Sequence, residues 1–285
     1  AGGSALSTGK KTINGYVACN EDGTPNQTLL EWAHQHGKAT GIVVTSHITD
    51  ATPADFYAHV TSRKMMDEIA RQLAFSDVDF AVGGYLNYFL PDKRDDKLAL
   101  VDTMKKRGYT VCYNTTELTA AAQLPVVALM SEKKPDRASD RGEWLAPAVT
   151  KALQLLENDE DGFFLMVEGS QIDWACHVNN FGHMSEEILD FDNAVLIAYQ
   201  YAQTHPNTLV IVTADHETGG LKINDKIDRL SPKTAQKKLK KYVTWKKLYH
   251  TNTDVPVYAF GPGAELFQGR MENTDIPKKI WSIWK

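Results

Sequence analysis

Short apolar runs recur along this chain between longer stretches with helical spacing, and that alternation narrows the fold more than any other feature. Thr40 to Thr45 (TGIVVT), Gly162 to Val167 (GFFLMV) and Thr208 to Thr213 (TLVIVT) are continuous apolar runs, not alternating ones. A strand that is apolar on both faces must be covered on both, as happens when helices cross over between parallel strands. Val78 to Val82, Tyr109 to Tyr113, Pro125 to Leu129 and Val255 to Phe260 read as further strands, with Gly83-Gly84 as a turn. Gln27 to His36, Asp95 to Arg107, Trp144 to Asn158 and Glu186 to Ala202 read as helices. Another is expected to start after Pro53, because proline suits a first helical turn. The expected class is therefore α/β, with a large, mainly parallel sheet flanked by helices.

Bulk properties exclude several functions. The 285 residues suit one large α/β domain or two small ones. A net charge of −5 argues against a chain built to hold nucleic acid, which needs a basic face. Cys19, Cys112 and Cys176 are too few for a disulfide scaffold and follow no zinc-finger spacing. No apolar run is long enough for a membrane span. A lysine-rich stretch within 222–249 reads as a solvated insertion on the rim of the domain.

The chemistry-bearing residues fall just after predicted strands or turns, where open α/β sheets gather their ligands. Glu168 follows GFFLMV, and Asp173 and His177 come next, four apart, so that on a helical turn they could grip one ion. The competing reading makes Glu168 a helix cap and His177 a surface residue. Asp215-His216 follows TLVIVT, where an ionisable pair needs a partner or a metal to offset desolvation. His250 would be a third ligand beside Asp173 and His177, although a lone histidine is usually structural. Asp50 and Thr52 supply hard oxygens suited to magnesium. Asp50 in Asp-Ala-Thr-Pro is equally a good helix N-cap. Arg63, expected on the following helix, has a planar fork that matches two phosphate oxygens, or it makes an ordinary surface ion pair.

The strings TDATPADFYAHVTSR, GFFLMVEGSQID, LVIVTADHETGG and HTNTDVPVYAFGPGAELFQG resemble the alkaline phosphatase family, in order and at suitable spacings. The resemblance implies a three-layer sandwich over residues 1–285 and hydrolysis of phosphate monoesters through a phosphoserine intermediate. It implies two zinc ions and one magnesium ion. Asp173, His177 and His250 match ligands of the first zinc, and Asp215 and His216 ligands of the second. Glu168 and Thr52 match magnesium ligands, with Asp50 close by, and Arg63 matches the phosphate clamp. Small phosphomonoester substrates, a homodimer and a periplasmic or secreted location are further family expectations. Ala1 to Thr12 matches the tail of the family's nucleophile motif, so the serine and the family's first strand are expected before Ala1. A non-catalytic fragment, or a related phosphodiesterase or sulfatase, is the alternative. Trp174 stands where the best-known bacterial member has a lysine.

Overall fold

The structure is a computed structural model that describes residues 1–226, 238, 239 and 241–284. In chain order its first elements are α1 (Gly2–Thr8), α2 (Leu29–Gln35), β1 (Ala39–His47), α3 (Ala51–Ala54), α4 (Met66–Phe75) and β2 (Phe80–Gly84). Next come α5 (Leu100–Lys106), β3 (Thr110–Cys112), α6 (Thr115–Ala120), β4 (Val126–Leu129), α7 (Ala138–Arg141) and α8 (Leu145–Leu156). They are followed by β5 (Phe163–Glu168), α9 (Gln171–His177), α10 (Phe181–Thr204), β6 (Val210–Val212) and β7 (Glu217–Thr218). Four short strands, β8 (Lys222–Ile223), β9 (Val243–Thr244), β10 (His250–Thr251) and β11 (Tyr258–Phe260), precede a last helix, Asp275–Trp284.

Strands β1 to β5 form one sheet in the order β3-β4-β2-β1-β5, and every pairing in it is parallel. The period of two along a strand sends successive β1 side chains to opposite faces. Ile42 and Val44 join Leu29 and Leu30 of α2, Ile69 and Leu73 of α4, and Leu100 of α5. Val43 points the other way, into a cluster with Leu118 of α6 and Leu145, Val149 and Leu156 of α8. The sheet is thus the middle of three layers, and all of these side chains are buried. Each contributes about 1.5–3 kcal/mol of transfer free energy, an upper estimate. Helix α2 is fixed at its start by a capping box: Thr28 Oγ1 accepts from the Glu31 amide, and Glu31 accepts from the Thr28 amide. Trp32 of this helix stacks on Trp284, with ring centroids 5.1 Å apart.

Several expectations are corrected. Gly83-Gly84 is the end of β2, not a turn. At Gly84 a Cβ would lie 2.4 Å from Pro135 Cγ and 2.5 Å from Ser131 Oγ, so the glycine lets the segment after β4 close over the sheet. The helix expected over Asp95 to Arg107 begins only at Leu100. Asp96 is held by Arg94 and the Leu98 amide, and Lys97 takes a φ of 57°, which no helix accommodates. The run Thr208 to Thr213 yields only β6, half-buried and paired antiparallel with β11 outside the main sheet. Helix α3 begins at Ala51 and contains Pro53 in its first turn. Part of the lysine-rich stretch, residues 227–237 and 240, lies outside the described residues. Cys19, Cys112 and Cys176 are all free and buried. No helix among the described residues is long and apolar enough to cross a membrane.

Candidate metal and phosphate site

The parallel strands end where the candidate residues begin. Glu168 is the last residue of β5, and Asp50 follows β1 as the N-cap of α3. Its carboxylate accepts from the Ala51 amide at 2.8 Å and from Arg63 Nη2 at 2.7 Å, so capping and ion pairing operate together. Arg63 lies in the turn before α4, not on a helix as expected, and its side chain is half exposed. Its backbone amide donates to the Gly15 carbonyl at 2.7 Å, which anchors the turn. No other guanidinium N–H of Arg63 has a protein partner among the described residues.

Helix α9 brings Asp173 and His177 to one face, as their spacing implied. Gln171 fixes that helix by donating from Nε2 to the carbonyls of Thr45 (3.0 Å) and Asp136 (2.9 Å). His177 Nδ1 donates to the Leu248 carbonyl at 2.7 Å. That bond places the lone pair on Nε2, which lies 3.1 Å from His250 Nε2 and 3.4 Å from Asp173 Oδ2. His250 arrives through the β7–β10 ladder, directly opposite Thr218. The Thr218 hydroxyl donates to Asp173 Oδ1 at 2.5 Å and sits 3.2 Å from His216 Nδ1. His216 stacks on His250 at 3.5 Å between centroids and lies 3.1 Å from Asp215 Oδ2.

Donor atoms of Asp173, His216 and His250 all lie within 4.8 Å of one another. The spacing argument put His216 in a different group from the other two; the structure brings all of these residues into one cluster. Thr218, the Leu248 carbonyl and Ser170, which donates to Glu168, were not anticipated. Thr218 and Leu248 matter only through the pairing of β7 with β10, which sequence spacing does not reveal. Ser4 and Ser7 are buried and bonded locally, Ser4 to Asp55 and Ser7 to the Ser4 carbonyl. Helix α1 nonetheless reaches the cluster: a Cβ on Gly2 would lie 2.9 Å from Asp215 Oδ2.

The electrostatics are those of a site short of positive charge. Burial pushes the Glu168 carboxyl up to about 8, against the Ser170 hydrogen bond, and the charges of Asp50 and Asp215 push the same way. Burial is the largest effect on His216 and opposes its charge, yet the Asp215 hydrogen bond together with the charges of Asp215 and Asp173 outweighs burial and raises it. Burial is the largest effect on Asp215 and raises it, but the hydrogen bond and charge of His216, with its own backbone and His250, together outweigh burial and lower it. His250 is lowered by burial first and then by His216. Carboxylates that repel one another and imidazoles turned face to face fit a cation-binding centre, since added positive charge would relieve both. Oxygen donors collect around Glu168, and nitrogen donors around Asp173 and His250, which suits hard and borderline cations respectively.

A parallel α/β sheet with candidate ligands gathered beyond its carboxyl ends is the general arrangement of α/β enzymes. Residues 1–243 and 231–285 match the alkaline phosphatase family, to which the chain belongs. Alkaline phosphatase 3 of Bacillus subtilis is 34% identical, covering 99% of this chain and 75% of that protein. The solved cold-active alkaline phosphatase of a Shewanella species superposes with a TM-score of 0.90 at 31% identity, covering 100% of this chain and 85% of that one. A variant of the alkaline phosphatase from the Antarctic bacterium TAB5 is 37% identical, with a TM-score of 0.88 over 99% of this chain and 82% of its own. It has Mg bound in its M3 site. The chain is therefore an alkaline phosphatase, of a family that hydrolyses phosphate monoesters.

Proposed function

We propose that these residues form the metal and phosphate centre of an enzyme that hydrolyses phosphate monoesters through a phosphoserine intermediate on a serine other than Ser4 or Ser7, with two zinc ions and one magnesium ion. The observation that carries this reading is the convergence of Asp173, His216 and His250 within 4.8 Å. Asp173, His177 and His250 would hold the first zinc, and Asp215 and His216 the second. Glu168 and Thr52 would hold magnesium, with Asp50 beside them. The bound ions would supply Lewis acidity, neutralising charge on the phosphoryl and leaving-group oxygens and lowering the pKa of the attacking hydroxyl.

The chain's own residues orient the substrate. Asp50 holds Arg63 through one nitrogen, so the rest of the guanidinium can take two non-bridging phosphate oxygens. Thr218 and the Leu248 carbonyl hold Asp173 and His177 in place from behind. The reading also includes one domain over 1–285 with 222–249 as a rim insertion, a homodimer, and a periplasmic or secreted location. These rest on family likeness alone.

The test is hydrolysis of p-nitrophenyl phosphate by protein stripped with a chelator and then reloaded, with metal content read by mass spectrometry. Turnover that returns with about two zinc ions and one magnesium ion per chain is the expected result. A different stoichiometry, or turnover indifferent to chelation, would sink the reading. Sedimentation velocity decides the homodimer.

A further inference from the structure

Asp50, whose amide donates to the His47 carbonyl at 3.0 Å, adjoins an aromatic group with no part in the site as described so far. His47, the last residue of β1, has its ring 4.3 Å from that of Tyr85 and 5.7 Å from that of Trp174. Tyr85 stacks on Tyr88, with centroids 4.4 Å apart and planes 17° from parallel. Trp174 follows Asp173 on α9, and the exposed Lys134 holds its ammonium 4.4 Å from the centre of the Trp174 ring. A cation so placed is attracted by the negative face of the indole.

Three features mark this group as more than packing. Both His47 ring nitrogens are buried without a hydrogen-bond partner among the described residues, which a core built only for stability avoids. Tyr85 has a φ of 76°, a left-handed backbone that a bulky side chain rarely adopts. Such strain persists only where the surroundings enforce it, and here the Ser131 carbonyl accepts from the amides of both Tyr85 and Leu86. The same segment carries Lys134 and is seated against Gly84, so the strained tyrosine and the cation are held by one piece of backbone. Tyr85, Tyr88 and Trp174 all remain partly exposed.

We propose that Tyr85, Tyr88 and Trp174, backed by His47 and joined by Lys134, form a subsite for a planar aromatic leaving group, such as the base of a nucleoside monophosphate. The proposal rests on the phosphatase reading of the neighbouring site, and it adds a substrate class to it. Base-on-ring stacking tolerates many bases because each has a π face, and Lys134 adds a cation for the electron-rich ring or its phosphate.

Two uncleavable phosphonates test this in the metal-loaded protein by calorimetry: adenosine 5′-methylenephosphonate and methylphosphonate. The adenosine compound should bind at least about tenfold tighter, the scale of one stacked base. That advantage should fall several-fold in Tyr88→Leu and in Lys134→Gln, each first shown by circular dichroism to be folded. Equal affinities in the unaltered protein, no binding of either compound, or an advantage retained by both variants would overturn the subsite. Loss of turnover of glycerol 2-phosphate, whose leaving group is not aromatic, is a separate readout that bears on the phosphatase reading alone.

Discussion

Arg63 meets solvent with one N–H committed to Asp50 and no other side-chain partner among the described residues, which suits the phosphate clamp proposed for it. Replacing it by alanine should lower kcat/KM for a small monoester roughly ten- to a hundredfold, equivalent to about 1.5–3 kcal/mol for a hydrogen bond to a charged group. Glu168 gives a pH prediction. Its folded pKa of about 8 lies above its ordinary 4.5, so between those values the metal-free folded state keeps a proton that the unfolded state has released. Stability of metal-free protein should therefore fall as pH rises from about 4.5 to about 8 and level off above. Thermal melts across that range check it, and Glu168→Gln should flatten the slope. Zinc or magnesium binding near neutral pH should also release a proton, seen as a buffer-dependent heat in calorimetry.

Helices α7 and α10 are joined by a buried pair, Arg141 with Glu187, whose side chains are 3% and 0% exposed, and Asp190 adds a second carboxylate. Arg141→Met should cost about 3–5 kcal/mol in denaturant unfolding, because it leaves Glu187 buried without its cation. At the same level it becomes plain which elements were legible in the sequence. β1 and β5 were, because a parallel strand under helices on both faces must be apolar throughout. The Gly83-Gly84 segment was misread because local glycine preference lost to close approach by Ser131 and Pro135. The run Thr208 to Thr213 looked like β1, but composition carries no record of which neighbour a strand pairs with, and β6 took β11. The site divides the same way. Asp173 and His177 share a helix and could be paired from spacing. His216, Thr218 and His250 meet only through the β7–β10 ladder, a contact between distant segments.

Taken whole, the molecule has a well-packed sheet and a site of repelling carboxylates and facing imidazoles at one end of it. Ligands that bind only the folded chain stabilise it by mass action, so free zinc at a hundred times its dissociation constant should add about 2.7 kcal/mol. Melts with chelator and with graded zinc would show it, and His250→Ala should blunt the response. The Trp32–Trp284 stack joins α2 to the helix Asp275–Trp284 across almost the full length of the chain. Two indoles held nearly parallel at 5.1 Å couple their electronic transitions, so the pair is a built-in optical gauge. Its circular-dichroism couplet would report undocking of that last helix before the rest of the fold gives way, with no added label.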